Sequence, residues 1–180
     1  MFDKEYVFHG KHADIVKKLT QKFDDENSLF NRNLDVYLMA PLVGLLNGKM
    51  APIDSQKNES NTLSTTKIFT DQLISVKDDL MFNFRVVILL HDKNNIPFKD
   101  RADFAFRYYN DEDPKSEHNI LIYKDYYESY VRGGLEILNE ELIEKGSDYV
   151  MNLENFLKTH TNLYCKEIGS LVDMVRSFQD

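Results

Sequence analysis

Apolar residues recur along much of this chain at intervals of three and four, the spacing that gathers them on one face of an α-helix. Ile15, Val16, Leu19 and Phe23 predict a first helix over Lys11–Phe23, with lysines on its other side. The Asp24–Asn27 cluster ends it. Leu34, Leu38, Leu42 and Leu45 predict a second helix over Asn33–Asn47, with Gly48 as its stop. Pro41 lies inside this segment. Its missing N–H and its clash with the preceding turn predict a kink or a break.

The strongest periodic segment is Thr66–Asp92. Phe69, Leu73, Val76, Leu80, Phe84 and Val87 alternate steps of four and three, and Thr65 or Thr66 is placed to cap the start. The end of the segment, MFNFRVVILLHD, is apolar on all sides. It predicts a central helix buried all round, with Phe84, Val87 and Leu90 in the core. The β-branched Val86 and Val87 keep a buried strand over Phe84–Leu90 as the competing reading. Pro97 opens a turn into a short helix over Phe98–Tyr109, followed by an acidic turn at Asp111–Pro114. Tyr123, Tyr127, Tyr130, Leu135, Leu138 and Leu142 predict a second long helix, Ser116–Lys145, closed by Gly146. Asp148–Phe156 and Leu163–Phe178 complete the helical pattern. The expected fold is an all-α, irregular bundle of about six or seven helices. A minor β element, a hairpin using Glu5–His9, is the most strand it should hold.

Length changes little in this picture: 180 residues suit a single domain spanning 1–180. Pro52–Thr66 is polar throughout and reads as a mobile surface loop. Gly 7 and Pro 4 are few, which favours helices over turn-rich β architecture. The net charge of −8 opposes a phosphate backbone and argues against a dedicated nucleic-acid binder, though it leaves a local basic patch open. The lone Cys165 allows no internal disulfide, and Met1–Phe8 lacks the apolar stretch of a signal peptide. The longest apolar run, Val86–Leu90, is too short to span a bilayer. A cytoplasmic location is therefore expected. The richness in Asn, Lys, Ile, Tyr and Asp suggests a low-GC bacterium or its phage.

Candidate chemistry is sparse. His91–Asp92 closes an apolar stretch, VVILLHDK, and this resembles the core signature of the HD-domain phosphohydrolases. The resemblance implies an all-α metallohydrolase with His91 and Asp92 sharing a divalent metal. Such a site needs further ligands. The nearest upstream histidine, His12, lies on another predicted helix, and Lys93 is followed by Asn94 and Asn95 where the family usually has Gly–Lys. The plainer reading is that a protonated His91 suits a helix C-terminus. His9 and His12 near the N-terminus, and His118, read as exposed. Cys165, between Leu163 and Ile168, reads as a small core residue. No metal and no cofactor is expected.

The unusual feature is aromatic. Arg107, Tyr108 and Tyr109 precede Tyr123, Tyr126, Tyr127, Tyr130 and Arg132, and tyrosine and arginine are enriched at interaction hot spots. Tyr126 falls off the main apolar stripe, so it is expected to be exposed. Gly133–Gly134 interrupts the same helix at a cost of about 1–2 kcal/mol relative to alanine. Close approach of another helix, a kink, or a partner's backbone would offset that cost. Arg107, Tyr109, Tyr126, Tyr130, Arg132 and Gly133 are therefore the candidate binding residues. The sequence reads as a non-enzymatic interaction protein, a subunit or adaptor of a bacterial or phage mobile-element or defence system, with a protein partner or a second copy. An acidic inhibitor of a nucleic-acid-binding partner and the HD-like hydrolase are the alternatives.

Overall fold

A computed structural model describes residues 2–55, 62–107 and 114–161. The elements run β1 (Tyr6–His9), α1 (Gly10–Thr20), α2 (Asn33–Leu46), β2 (Thr65–Ile68), α3 (Thr70–Ser75), α4 (Lys77–Leu90), α5 (Phe98–Phe106) and α6 (Pro114–Asn139). A π-helical turn, Glu140–Glu144, and a helix over residues 149–161, α7, follow. The fold is all-α with one small antiparallel sheet. The chain falls into two compact units, Met1–Asn139 and Glu140–Asp180.

The sheet corrects part of the helical reading. Tyr6 pairs with Ile68 and His9 with Thr65, so Thr65 and Thr66 are strand residues and not helix caps. The β-branched run Thr65–Thr66–Ile68 supplies the local preference, and Phe8 and Ile68 bury the inner face. The long helix expected over Thr66–Asp92 is two helices. Ser75 Oγ donates to the Gln72 carbonyl at 2.7 Å and closes α3, and Val76 leaves helical geometry at φ −125° and ψ 26°. Asp78 and Asp79 then favour a fresh helix N-terminus in α4.

The first unit is built around the crossing of α2 and α6. Ala40 and Gly44 on α2 meet Tyr130 and Gly134 on α6. A Cβ on Gly134 would lie 1.8 Å from the Ala40 carbonyl oxygen, and one on Gly44 would lie 2.2 Å from that of Tyr130. The buried seam of α2 is thus its small-residue face with Val36, Tyr37 and Val43, not the leucine stripe; only Leu34 of those four leucines is fully buried. α2 runs through Pro41 without breaking. Asn83 of α4 donates to the Leu38 carbonyl at 2.9 Å, just before that proline. Around the crossing, Tyr127 meets Phe2, Tyr37 and Phe84 with ring centroids 5.7–6.1 Å apart, in edge-on and tilted arrangements.

In the second unit, Asp148 Oδ1 accepts from the Met151 N–H at 2.9 Å and starts α7. Asn152 Nδ2 donates to the carbonyls of Leu142 and Gly146 and fixes the turn between them. The expected segment Leu163–Phe178, with Cys165, and the acidic turn at Asp111–Asp113 lie outside the described residues, as do Gln56–Asn61 of the expected loop.

Candidate functional site

The sequence-predicted binding residues do not gather into one exposed face. Tyr130 and Arg132 are each 6% exposed, and Gly133 is buried. Tyr126 is half-buried, its ring stacked 4.3 Å from that of His91. Phe104, Tyr123, Tyr126, His91 and Tyr130 form a ladder of ring contacts that joins α5, α6 and the end of α4. Arg107 is exposed and pairs with Asp103 at 2.9 Å. Tyr109 lies outside the described residues. The expected face of Tyr126, Tyr130, Arg132 and Gly133 is thus an internal seam. The surplus of tyrosine over one stripe reflects the several elements that pack on α6.

Gly133 receives this chain's own backbone. Its missing Cβ would sit 2.0 Å from the Lys49 carbonyl oxygen. From there residues 49–54 run along α6. Ala51 N–H donates to the Ser129 carbonyl at 3.0 Å, and Arg132 Nε donates to the Ala51 carbonyl at 2.7 Å. Asp54 Oδ2 accepts from the Lys11 N–H at 2.7 Å, at the start of α1. Gly10, at φ +56°, has no room for a side chain beside that carboxylate. The polar segment expected as a mobile loop from Pro52 therefore begins as a strap bonded to two helices.

Beneath the strap, β1, α1 and α6 border a cleft of about 200 Å³ lined by His9, His12, Asp54, Glu128 and Arg132 among others. His12 is 1% exposed, against the expectation of an exposed histidine. Its Nε2 lies 3.3 Å from Glu136, which also pairs with Lys11 at 2.7 Å and Lys49 at 3.3 Å. Burial pushes the His12 pKa below its ordinary value despite that carboxylate. Glu136 is held below the usual carboxylate range: partial burial works against this, but Lys11 and then Lys49 outweigh it. Burial raises the pKa of Glu128, with Lys124 and Arg132 opposing. The charges here are spent on one another, which suits joining α1, α6 and the strap.

His91 and Asp92 lie just past the last residue of α4. His91 Nδ1 shares a hydrogen bond with the Tyr130 hydroxyl at 3.2 Å, and burial lowers its pKa. That shift favours the neutral ring, and the bonded partner is a tyrosine hydroxyl and not a carbonyl of the helix end. Arg101 serves that end instead: its guanidinium donates to the Leu89 carbonyl, and its Nε donates to Ile96 O at 2.9 Å. Asp92, at φ +45°, turns away and accepts from Asn95 Nδ2 at 2.7 Å. Among the described residues no group of three or more His, Cys, Asp or Glu side chains converges as a metal site. Among the described residues, the additional ligands that the HD resemblance requires do not stand beside His91 and Asp92.

One surface was missed by reading the MFNFRVVILLHD run as buried all round. The inner face of α4 buries Leu80, Phe84, Val87 and Ile88. Its outer face carries Phe82 at 63% exposure and Leu90 at 49%, with Val86 half-buried between them. These three stand at i, i+4 and i+8, one above another on the helix. α5 packs along the Arg85–Leu89 side, where the Arg85 guanidinium lies 5.3 Å from the Phe106 ring centroid. Phe98 and Phe106 on α5 are also exposed. The signal was available: a fourteen-residue helix with apolar residues on every side, in a small bundle, must show one side to solvent or to a partner.

Comparison with protein-family models, with curated proteins and with solved structures finds no match. No described helix is long and apolar enough to cross a membrane.

Proposed function

We propose that this chain is a non-enzymatic interaction protein that docks another protein surface on the outer face of α4 and α5. The observation that carries the reading is the series of exposed Phe82, half-buried Val86 and exposed Leu90 on α4, with Phe98 and Phe106 exposed on the neighbouring α5. Contiguous apolar surface rimmed by polar residues is the ordinary mark of a partner site. An amphipathic helix laid along i, i+4 and i+8 anchors is one recurring way to cover it. The tyrosines of α6 support that surface from within, through their ring contacts with His91 and Phe84 on the α4 side and with Phe104 on α5. A cytoplasmic setting accords with the single cysteine.

Site-specific photocrosslinking tests the reading. A photoreactive phenylalanine analogue placed at Phe82 should give a discrete adduct in native cells. The same analogue at Lys18, an exposed position on the far polar side of α1, should not. Position 82 giving no adduct beyond that seen at position 18 would refute the proposal.

A further inference from the structure

The geometry points to the cleft beneath the strap as a docking site for an extended, basic peptide segment, which joins the free edge of β1 as a third strand. The site is independent of the α4 face, with which the cleft shares no lining residue.

The argument begins with the backbone of β1. Its sheet has two strands, so β2 covers one edge of β1 and leaves the other. The register that pairs Tyr6 with Ile68 and His9 with Thr65 continues to Gly10, whose N–H donates to the Ser64 carbonyl at 2.8 Å. In an antiparallel ladder the bonded positions alternate. Tyr6 and Phe8 therefore bond to β2, while Val7 and His9 direct their N–H groups to the opposite edge. The Val7 carbonyl points there as well. Among the described residues no strand takes up these groups. That edge lies in the cleft, because Glu5 and every residue of β1 line it. His9 Nδ1 is also buried, with no hydrogen-bond partner among the described residues. The complement of such an edge is another extended backbone, whose own N–H and C=O groups recur at the same spacing.

Charge sets the class of segment. Glu5, Asp54 and Glu128 line the cleft against one guanidinium, that of Arg132. Arg132 already donates to the Ala51 carbonyl. Glu128 meets Lys124 at 3.6 Å and Arg132 at 3.9 Å, both longer than a charge-assisted hydrogen bond. A lysine or arginine on the added strand offsets this excess of carboxylates, while the alternate side chains point to the other face. β1 has only four residues. Few bonds can form along it, so the complex is weak and is read by titration and not by co-purification.

The test is titration of the full chain followed by amide NMR. The probe is a pool of short acetylated and amidated peptides in which valine, isoleucine or threonine alternates with lysine or arginine. The shifts should saturate and centre on Glu5–His9, and the Val7 amide should gain protection from hydrogen exchange. Full N-methylation of the peptide backbone should weaken binding at least ten-fold, and glutamate in place of the basic residues should do the same. Val7→Pro removes an N–H that β2 does not use. It should weaken binding at least ten-fold while the circular dichroism spectrum stays unchanged. Should that variant disturb the fold, the N-methylated pool makes the same comparison on the wild-type chain. No saturable shift at Glu5–His9, an N-methylated pool that binds equally, or an acidic pool that binds as well as the basic one would each overturn strand addition.

Discussion

At the scale of the residue, glycine decides more of this structure than any charged group. Gly134 lets α6 touch α2, and Gly133 admits the Lys49 carbonyl. Gly134→Ala places a methyl 1.8 Å from the Ala40 carbonyl oxygen, a backbone atom that cannot move alone. It should therefore destabilise the fold by about 1–3 kcal/mol despite alanine's better helix propensity. Chemical denaturation measures this, and an unchanged midpoint would show that the crossing relaxes freely. The Gly–Gly step was legible in the sequence as a cost to be offset by a close approach, a kink or a partner's backbone. What approaches was not, because Lys49 lies far back along the chain. The same distance hid the partners of Arg132 and Tyr130. Sequence spacing fixes which residues share a helix face, but not whether another element covers that face.

At the scale of the element, local pattern located most helices and missed how one ended. The alternating steps of Phe69–Val87 run through the break at Val76, because an apolar period does not register a side chain turning back on the backbone at Ser75. Burial was misjudged in the opposite direction for α4 and His12: the helix reads buried and shows a face, the histidine reads exposed and is buried. His12 and Glu136 join α1 to α6, and both contribute stability that acid removes. The folded pKa of His12 lies below its unfolded value of about 6.5, so the unfolded chain binds the proton first. Stability is then lost as pH falls from about 6.5 through the folded value. His91 acts in the same sense. Glu136, also depressed, adds its own loss as pH falls below about 4.3. The thermal midpoint should decline from pH 7 toward pH 3, and Glu136→Gln should flatten the part of that decline below about pH 4.3. A midpoint constant between pH 7 and pH 4 would contradict the assignment of these groups.

At the scale of the whole molecule, the interior and the surface divide the work. Tyrosines, glycines and the Arg132 guanidinium hold the bundle and the strap together. The proposed docking face is the outer side of α4 with α5, where Phe82, Leu90, Phe98 and Phe106 are exposed. Complete burial of a phenylalanine or leucine side chain contributes about 1.5–3 kcal/mol, so Phe82 and Leu90 together can anchor a partner. Substitution of an exposed residue usually changes folding stability by about 0.5 kcal/mol or less. Association and folding should therefore separate cleanly at Phe82. The most direct measurement is co-purification from native cells of wild type and Phe82→Asp, with their melting temperatures determined in parallel. Phe82→Asp should melt with wild type and lose the associated chains. A variant that melts normally and keeps every associated chain would contradict the account.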